Sequence, residues 1–316
     1  MARFDGKTGA AAGPRIAVGP RPSEWARQAI ERGGGQAVGV DESPLGLVWT
    51  DSRAIDALRA TLDSHPGIRW VQLPLAGVER IVAAGVVDRE RQWTSAKGAY
   101  AEPVAEHALA LLLAGLRLLP ERARAQSWGE PGGVNLFDQP VTVLGAGGVA
   151  REVIRLLEPF RVQVTVVRHK PEPLPMVWRT VGLRHLNEAL TGARAVVLAL
   201  ALTPRTRGLI GRAELATMAP GAWLVNVARG EIVDTEALVE ALQAGRLGGA
   251  ALDVTDPEPL PDGHPLWAAP NCLITPHTAD TKEMTKPLLA ARIADNVARL
   301  ARGAELVGRV DPDAGY

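Results

Sequence analysis

Three polar residues stand at places in this chain where chemistry can be done. Arg229 follows an apolar run at residues 223–227 and precedes Gly230. Glu258 follows a second run at 249–254, inside Asp253-Val254-Thr255-Asp256-Pro257-Glu258-Pro259. His277 follows a third run at 272–275, behind Pro276. Each run is predominantly apolar or β-branched, which reads as a buried parallel strand. Ligands of open parallel sheets bind beyond the carboxyl ends of the strands. Singly the residues say little, since a lone arginine is usually a surface charge and a lone histidine usually structural. At successive strand ends they make an acid–base and anion-binding set. A carboxylate beside an imidazole orients the ring and favours its protonated form. A guanidinium can hold a carboxylate through two parallel hydrogen bonds. Pro257 and Pro259 stiffen the segment that carries Glu258.

A second constellation precedes these three. Gly145-Ala146-Gly147-Gly148-Val149-Ala150 follows an apolar strand at 141–144 and leads into a helical repeat at Val153, Ile154, Leu156 and Leu157. Strand, glycine-rich turn and helix together give the G-x-G-x-x-A pattern its meaning. Gly145 allows the tight turn, Gly147 lets a pyrophosphate approach the backbone, and Ala150 allows close helix–strand packing. The free N–H groups at the helix start favour a dianion. The site therefore reads as dinucleotide-binding. The next strand, 162–167, runs into Arg168-His169-Lys170. An acidic residue at that place would accept hydrogen bonds from the ribose of NAD and repel the 2′-phosphate of NADP. Arg168 can instead clamp that phosphate, with His169 beside it and Lys170 adding charge. NADP(H) is thus favoured and NAD(H) remains possible. A methyltransferase, another user of the glycine pattern, would need the acid that Arg168 replaces.

These residues need a scaffold, and the remaining sequence supplies one. Strands are expected at 15–19, 36–40, 45–50 and 69–73. They alternate with a helix from Ser23, its candidate cap, to Arg32, and with one carrying Ile55, Leu58 and Leu62, capped by Asp51 or Ser52. This alternation predicts a small parallel α/β domain. Residues 101–119 form the most apolar helix, with Pro103 in its first turn; it is expected at an interdomain or subunit interface. His107 lies on it and reads as a packed or capping histidine. Residues 120–139 read as an irregular connector. Beyond the glycine turn, 195–200 is a further strand, 237–242 a helix capped by Asp234 or Thr235, and 281–301 a last helix. The chain has 316 residues, 35 Lys plus Arg against 35 Asp plus Glu, and one cysteine, Cys272. Such a balance offers no basic stripe to nucleic acid. No apolar run reaches the ~20 residues of a membrane span. The lone cysteine excludes an internal disulfide framework and fits a reducing compartment, so a cytoplasmic location is expected. Residues 1–14 are Gly/Ala-rich without an apolar core and read as a disordered tail rather than a signal peptide. No metal-ligand spacing is present.

The segments 141–150, 220–230, 251–260 and 264–277 together resemble the D-isomer-specific 2-hydroxyacid dehydrogenase family. The Asp253–Pro259 stretch is similar to that of its glyoxylate/hydroxypyruvate reductase branch. Over the first part of the chain the resemblance is weak and lies mainly at Leu75-Ala76-Gly77-Val78. It implies two doubly wound parallel-sheet domains. A Rossmann dinucleotide-binding domain, 99–284, is inserted into a smaller flavodoxin-like substrate domain, 1–98 with 285–316. It implies reduction of a small 2-keto acid to a D-2-hydroxy acid. Arg229 would bind the carboxylate, His277 would protonate the keto oxygen, and Glu258 would pair with His277. Backbone N–H groups of Leu75, Ala76 and Gly77 would bind the same carboxylate, and Asp253 would join the cofactor-binding residues. The resemblance also implies a homodimer and, for closure, a hinge with crossings near 97–101 and 281–287. The apolar Leu73 and Leu75 favour an uncharged or hydrophobic substrate side chain. Formate dehydrogenases, within the same family, are expected to carry Gln in place of Glu258. The alternative is a cofactor-binding redox sensor or corepressor that retains the dehydrogenase fold.

Overall fold

Strands that are apolar at every position can be satisfied only when both faces of their sheet are covered, and that requirement shapes this chain. The computed structural model describes residues 13–312. The expected tail at residues 1–14 falls outside the described residues, apart from Gly13 and Pro14. The chain divides into two units, one of residues up to Ala99 together with those from Thr285 on, the other Tyr100–Met284.

The first unit begins with β1 (Arg15–Gly19), α1 (Glu24–Arg32), β2 (Gln36–Val38), β3 (Gly46–Trp49), α2 (Ile55–Ser64), β4 (Trp70–Gln72), α3 (Glu79–Ala83) and β5 (Gln92–Thr94). Its sheet is parallel throughout in the order β2-β1-β3-β4-β5, the flavodoxin-like arrangement. Leu47, Trp49, Leu58, Leu62, Ile68, Val71 and Leu73 form its core. Leu73, one of the two apolar residues expected to favour a hydrophobic substrate side chain, is fully buried in this core and offers no surface to a ligand. Helix α2 also starts later than expected. Asp51 accepts a hydrogen bond from the Arg53 N–H at 2.9 Å, and this turn delays the helix to Ile55.

The second unit opens with α4 (Ala101–Leu116), α5 (Leu119–Arg124), β6 (Pro140–Leu144), α6 (Gly148–Leu157), β7 (Gln163–Val167) and β8 (Arg179–Val181). It continues with α7 (Leu186–Leu190), β9 (Ala195–Leu198), α8 (Arg212–Thr217), β10 (Trp223–Asn226), α9 (Thr235–Gln243), β11 (Gly249–Leu252), α10 (Pro265–Ala268) and β12 (Cys272–Ile274). Helix α11 (Lys282–Ala301) follows. The seven strands are parallel in the order β12-β11-β10-β9-β6-β7-β8. Strand order reverses between β6 and β9, the switch point at which such sheets bind ligands. Val153, Ile154 and Leu157 of α6 join one buried cluster, and Leu186, Leu215 and Leu238 of α7, α8 and α9 join the other. No helix among the described residues is long and apolar enough to cross a membrane.

Two expectations change here. The buried stripe of α4, including Ala105, Ala108, Leu111, Leu112 and Leu116, packs into the core of its own unit rather than being reserved for an interface. Gly115 makes this close fit possible, because a Cβ there would sit 2.4 Å from the Trp223 ring. The helix ends at Leu116, and Leu118 takes a left-handed backbone with φ 54°. Pro120 then suits the first turn of α5, a helix inside the stretch expected to be irregular.

Candidate active site

Strand register brings the candidate residues to one edge of the larger sheet. Val167, Leu144, Leu198, Asn226, Leu252 and Ile274 lie side by side as the last paired residues of β7, β6, β9, β10, β11 and β12. Whatever follows each strand emerges along this edge. Arg168, the glycine turn, Arg229, the Asp253–Pro259 segment and His277 all do.

Asn226 shapes the segment that carries Arg229. It is buried; its side-chain amide donates to the Arg229 carbonyl at 2.9 Å, and its amide oxygen accepts from the Ala228 N–H at 3.0 Å. These bonds fold the backbone directly after β10. Arg229 Nη1 donates to the Ala228 carbonyl at 2.7 Å. Gly230 then allows a close approach, since a Cβ would lie 2.0 Å from the Thr255 carbonyl. The Arg229 loop and the Glu258 loop are packed together by that contact.

Glu258 and His277 meet directly, with Oε1 2.7 Å from Nδ1. The hydrogen bond from Glu258 raises the His277 pKa above the ordinary histidine value, against burial and the nearby Arg229 charge. The same bond holds Glu258 below the usual carboxylate range. Both side chains are about half exposed, 46% and 42%. The pair can therefore store a proton on the ring while Nε2 remains available to a ligand.

The position of His277 is fixed from behind. Its φ of 50° is left-handed, and its N–H donates to the Asp253 and Thr275 carbonyls at 2.9 and 3.0 Å. The buried Asp253 carboxylate accepts from the Thr275 hydroxyl at 2.6 Å and from the Thr278 and Ala279 N–H groups at 2.9 and 3.1 Å. His107 Nε2 lies 3.3 Å from the same carboxylate and 3.1 Å from the Thr275 hydroxyl. Burial alone would raise the Asp253 pKa; the hydrogen bonds outweigh it and pull the group down to about 2. His107 is thus the packed histidine expected, and Asp253 anchors the backbone on both sides of His277. Asp280, next along, has its pKa raised by burial. Asn226, Thr275 and the part played by His107 are not legible from motif spacing, because each acts through a backbone contact that only the fold creates.

The glycine turn fits a dinucleotide. Gly145 has φ 117°, and a Cβ there would lie 2.1 Å from the Ala199 carbonyl, so only glycine can pass between β6 and β9. Gly147, the residue before α6, has open space around its missing Cβ, with nothing within 4 Å. That leaves the backbone of residues 145–149 approachable by a phosphate at the helix start. Ala150 is fully buried against the sheet, as close packing requires. After β7, Arg168 Nη2 lies 3.6 Å from Glu172, and His169 Nε2 lies 3.4 Å from Arg205 Nη2. His169 and Lys170 are exposed.

Leu75, Ala76 and Gly77 lie in the first unit, after β4. The Leu75 carbonyl accepts from the Ala96 N–H at 2.7 Å, and the Ala76 carbonyl accepts from the Ser95 hydroxyl at 3.4 Å. Among the described residues no group of His, Cys, Asp and Glu is placed to hold a metal ion. Burial pushes the Cys272 thiol up to about 12, so it is no thiolate nucleophile at neutral pH.

Comparison with known proteins adds three relatives to this geometry. A glyoxylate reductase of Aeropyrum pernix is 34% identical over 82% of this chain and 84% of its own length. A glyoxylate/hydroxypyruvate reductase A of Klebsiella pneumoniae is 37% identical over a shorter match, 56% of each chain. The crystal structure of a D-isomer specific 2-hydroxyacid dehydrogenase from Xanthobacter autotrophicus, in complex with NADPH and MES, superimposes with a TM-score of 0.83 at 28% identity. It covers 96% of this chain and 100% of that one. The sequence model of the D-isomer specific 2-hydroxyacid dehydrogenase NAD-binding domain matches residues 108–279, and with the parallel seven-stranded sheet and its glycine turn it settles the lineage: this chain belongs to the D-isomer specific 2-hydroxyacid dehydrogenase family.

Proposed function

We propose that this NAD(P)-dependent dehydrogenase reduces a small 2-keto acid, of the glyoxylate and hydroxypyruvate kind, to the D-2-hydroxy acid, with NADPH as the preferred cofactor. The observation that supports this most is the Glu258–His277 pair, 2.7 Å apart, beside Arg229. Residues Gly145, Ala146, Gly147, Gly148, Val149 and Ala150 would hold the cofactor's pyrophosphate, with Arg168 and His169 at its adenosine ribose; Asp253, expected among the cofactor-binding residues, is instead buried and spent on Thr275, Thr278 and Ala279, so it supports the His277 loop. A nicotinamide cofactor held by these residues would supply the hydride.

The protein's own residues do the rest. Arg229 grips the substrate carboxylate through its planar fork and draws electron density toward the keto oxygen. His277, its Nδ1 tied to Glu258, gives the proton on Nε2 to that oxygen. Glu258 stabilises the imidazolium before transfer; afterwards the ring is neutral beside the carboxylate and regains its proton from solvent. A homodimer belongs to the same reading and is tested by light scattering on the purified protein.

The deciding experiment is a set of initial rates with NADPH and NADH against glyoxylate, hydroxypyruvate, pyruvate, phenylpyruvate and a branched 2-keto acid. Turnover of at least one acid, faster in kcat/KM with NADPH, is expected. Cofactor binding without oxidation by any of them would replace this reading with a redox sensor or corepressor. A preference for NADH would remove the part assigned to Arg168.

A further inference from the structure

We propose that Arg205 completes the site for the cofactor's 2′-phosphate beside Arg168 and His169, and that Glu172 occupies Arg168 as an internal stand-in for that phosphate. The inference rests on the reading of Arg168 as the group that meets the 2′-phosphate. It goes further by naming a contributor from a different strand connection and a competitor from the same one.

Arg205 lies on the connection after β9, thirty-six positions beyond His169. Sequence spacing gives no reason to join the two. The register does, because Leu144 pairs with both Val167 and Leu198, so the chain leaving β7 and the chain leaving β9 emerge on either side of the glycine turn. The Arg205 backbone is held rather than loose. The buried Thr206 hydroxyl accepts from the Thr203 N–H at 2.8 Å and donates to the Ala201 carbonyl at 2.8 Å. The Thr206 and Arg207 N–H groups each donate to the Thr203 carbonyl at 3.0 Å. This turn places the Arg205 guanidinium 3.4 Å from His169 Nε2. One of its five N–H donors suffices for that contact, and the fork geometry of the rest suits phosphate oxygens.

Arg168 at the end of β7 and Arg205 against the next residue, His169, bring two cationic side chains to the chain that leaves this strand, a setting that suits an anion. At Arg168 the structure places Glu172, its carboxylate 3.6 Å from Nη2 and its backbone carbonyl 3.4 Å from Nη1. Glu172 is 68% exposed while Arg168 is 21% exposed. An exposed ion pair is weak, and a phosphate monoester carries about −1.5 to −2 charges at neutral pH. The phosphate therefore displaces the carboxylate from Arg168 at little cost and gains Arg205 as well. Glu172 lowers affinity for the phosphate without abolishing it, and it keeps Arg168 extended at the strand end when no phosphate is present.

The test uses the full chain and two fragments of the cofactor, adenosine 2′,5′-bisphosphate and adenosine 5′-monophosphate, titrated by calorimetry at low salt. Wild type is expected to bind the bisphosphate more tightly. Arg205→Ala should weaken bisphosphate binding by roughly 10-fold and leave the monophosphate within about 2-fold. Arg205→Glu should weaken the bisphosphate further. Glu172→Gln should tighten the bisphosphate by roughly 2- to 5-fold. An Arg205→Ala protein that keeps the wild-type preference, while Arg168→Ala loses it, overturns the role of Arg205 and leaves the Arg168 reading standing. A Glu172→Gln protein that binds the bisphosphate no better overturns the stand-in. Wild type that binds both fragments equally overturns the inference and the cofactor preference together.

Discussion

The ends of β12 and β7 belong to one sheet edge, yet they are built in opposite ways. Beyond β12, His277 sits on a backbone pinned by a buried carboxylate, with Asp253 accepting from Thr275, Thr278 and Ala279. Beyond β7, Arg168 meets the exposed Glu172 through its carboxylate at 3.6 Å and its backbone carbonyl at 3.4 Å, and His169 meets the exposed Arg205 at 3.4 Å. The difference matches the tasks. Proton transfer requires an atom held within hydrogen-bond reach of another, so its support is buried, where fluctuation is small and salt has little effect. Charge recognition tolerates displacement and works from exposed groups, where it is graded and screened by salt. A disruption beyond β12 should therefore remove the chemistry, whereas one beyond β7 should only change a ratio.

The sharpest way to break this contrast is to remove the acid. His277→Gln should lower kcat by ~10²–10⁴-fold while cofactor titration shows unchanged binding. A variant within a few-fold of wild type would place the proton elsewhere. Next is Arg229→Lys, which keeps the charge and loses the planar fork. A drop of roughly 10- to 100-fold in kcat/KM for 2-keto acids is expected, from the ~1.5–3 kcal/mol of a charged hydrogen bond. An unaltered value would mean that Arg229 never touches the carboxylate. On the opposite side, Arg168→Asp should reduce kcat/KM with NADPH by roughly 10- to 100-fold with little change for NADH, and the gap should close as salt is added. Loss of turnover with both cofactors would show that the β7 end is as rigidly coupled to chemistry as the β12 end.

A stability measurement separates the two regions without any substrate. Asp253 has its pKa lowered from 3.8 to about 2. A depressed folded-state pKa contributes stability above the unfolded value and loses it as pH falls through the folded one. The contribution is about 2 kcal/mol. Asp253→Asn should therefore lower the unfolding temperature near neutral pH, and the difference from wild type should shrink between about pH 4 and pH 2. A difference independent of pH would mean that the carboxylate's charge is not what holds the His277 loop.

The same contrast decides what could be read from the sequence. Glu258, His277 and the glycine turn were legible because strand ends and proline- or glycine-marked turns have local signatures. The two parallel sheets were legible from apolar runs alternating with helices. Strands β5 and β8 were not, since Gln92-Trp93-Thr94 and Arg179-Thr180-Val181 are three residues long and lie at sheet edges, too short for a period to register. Helix α5 was hidden by its own Pro120, which marks a helix start as well as a break. The support of His277 by His107 joins residues far apart in sequence, and so does the contact of Arg205 with His169; neither has a local pattern. Buried support and exposed pairing are alike in this, as both are made by strand register.

The smallest expected effect is the most specific to the Glu258–His277 contact. Glu258 is the largest influence raising the His277 pKa; burial and Arg229 oppose it, and Asp253 assists more weakly. Asp280 also senses the ring's charge. Reduction needs the ring protonated, so the rate should be flat at low pH and fall as pH rises through the His277 pKa, which lies above the ordinary histidine value. Glu258→Gln keeps a hydrogen-bonding oxygen for Nδ1 but removes the charge. The fall in kcat should then begin at lower pH, with the plateau less affected than its edge. Oxidation of the 2-hydroxy acid, which needs the unprotonated ring, should shift its rise in the same direction. These are opposite slopes displaced by one cause, and a structural disturbance would lower both plateaus without moving either edge. If Glu258→Gln leaves both edges in place, the 2.7 Å contact orients the imidazole without setting its proton affinity.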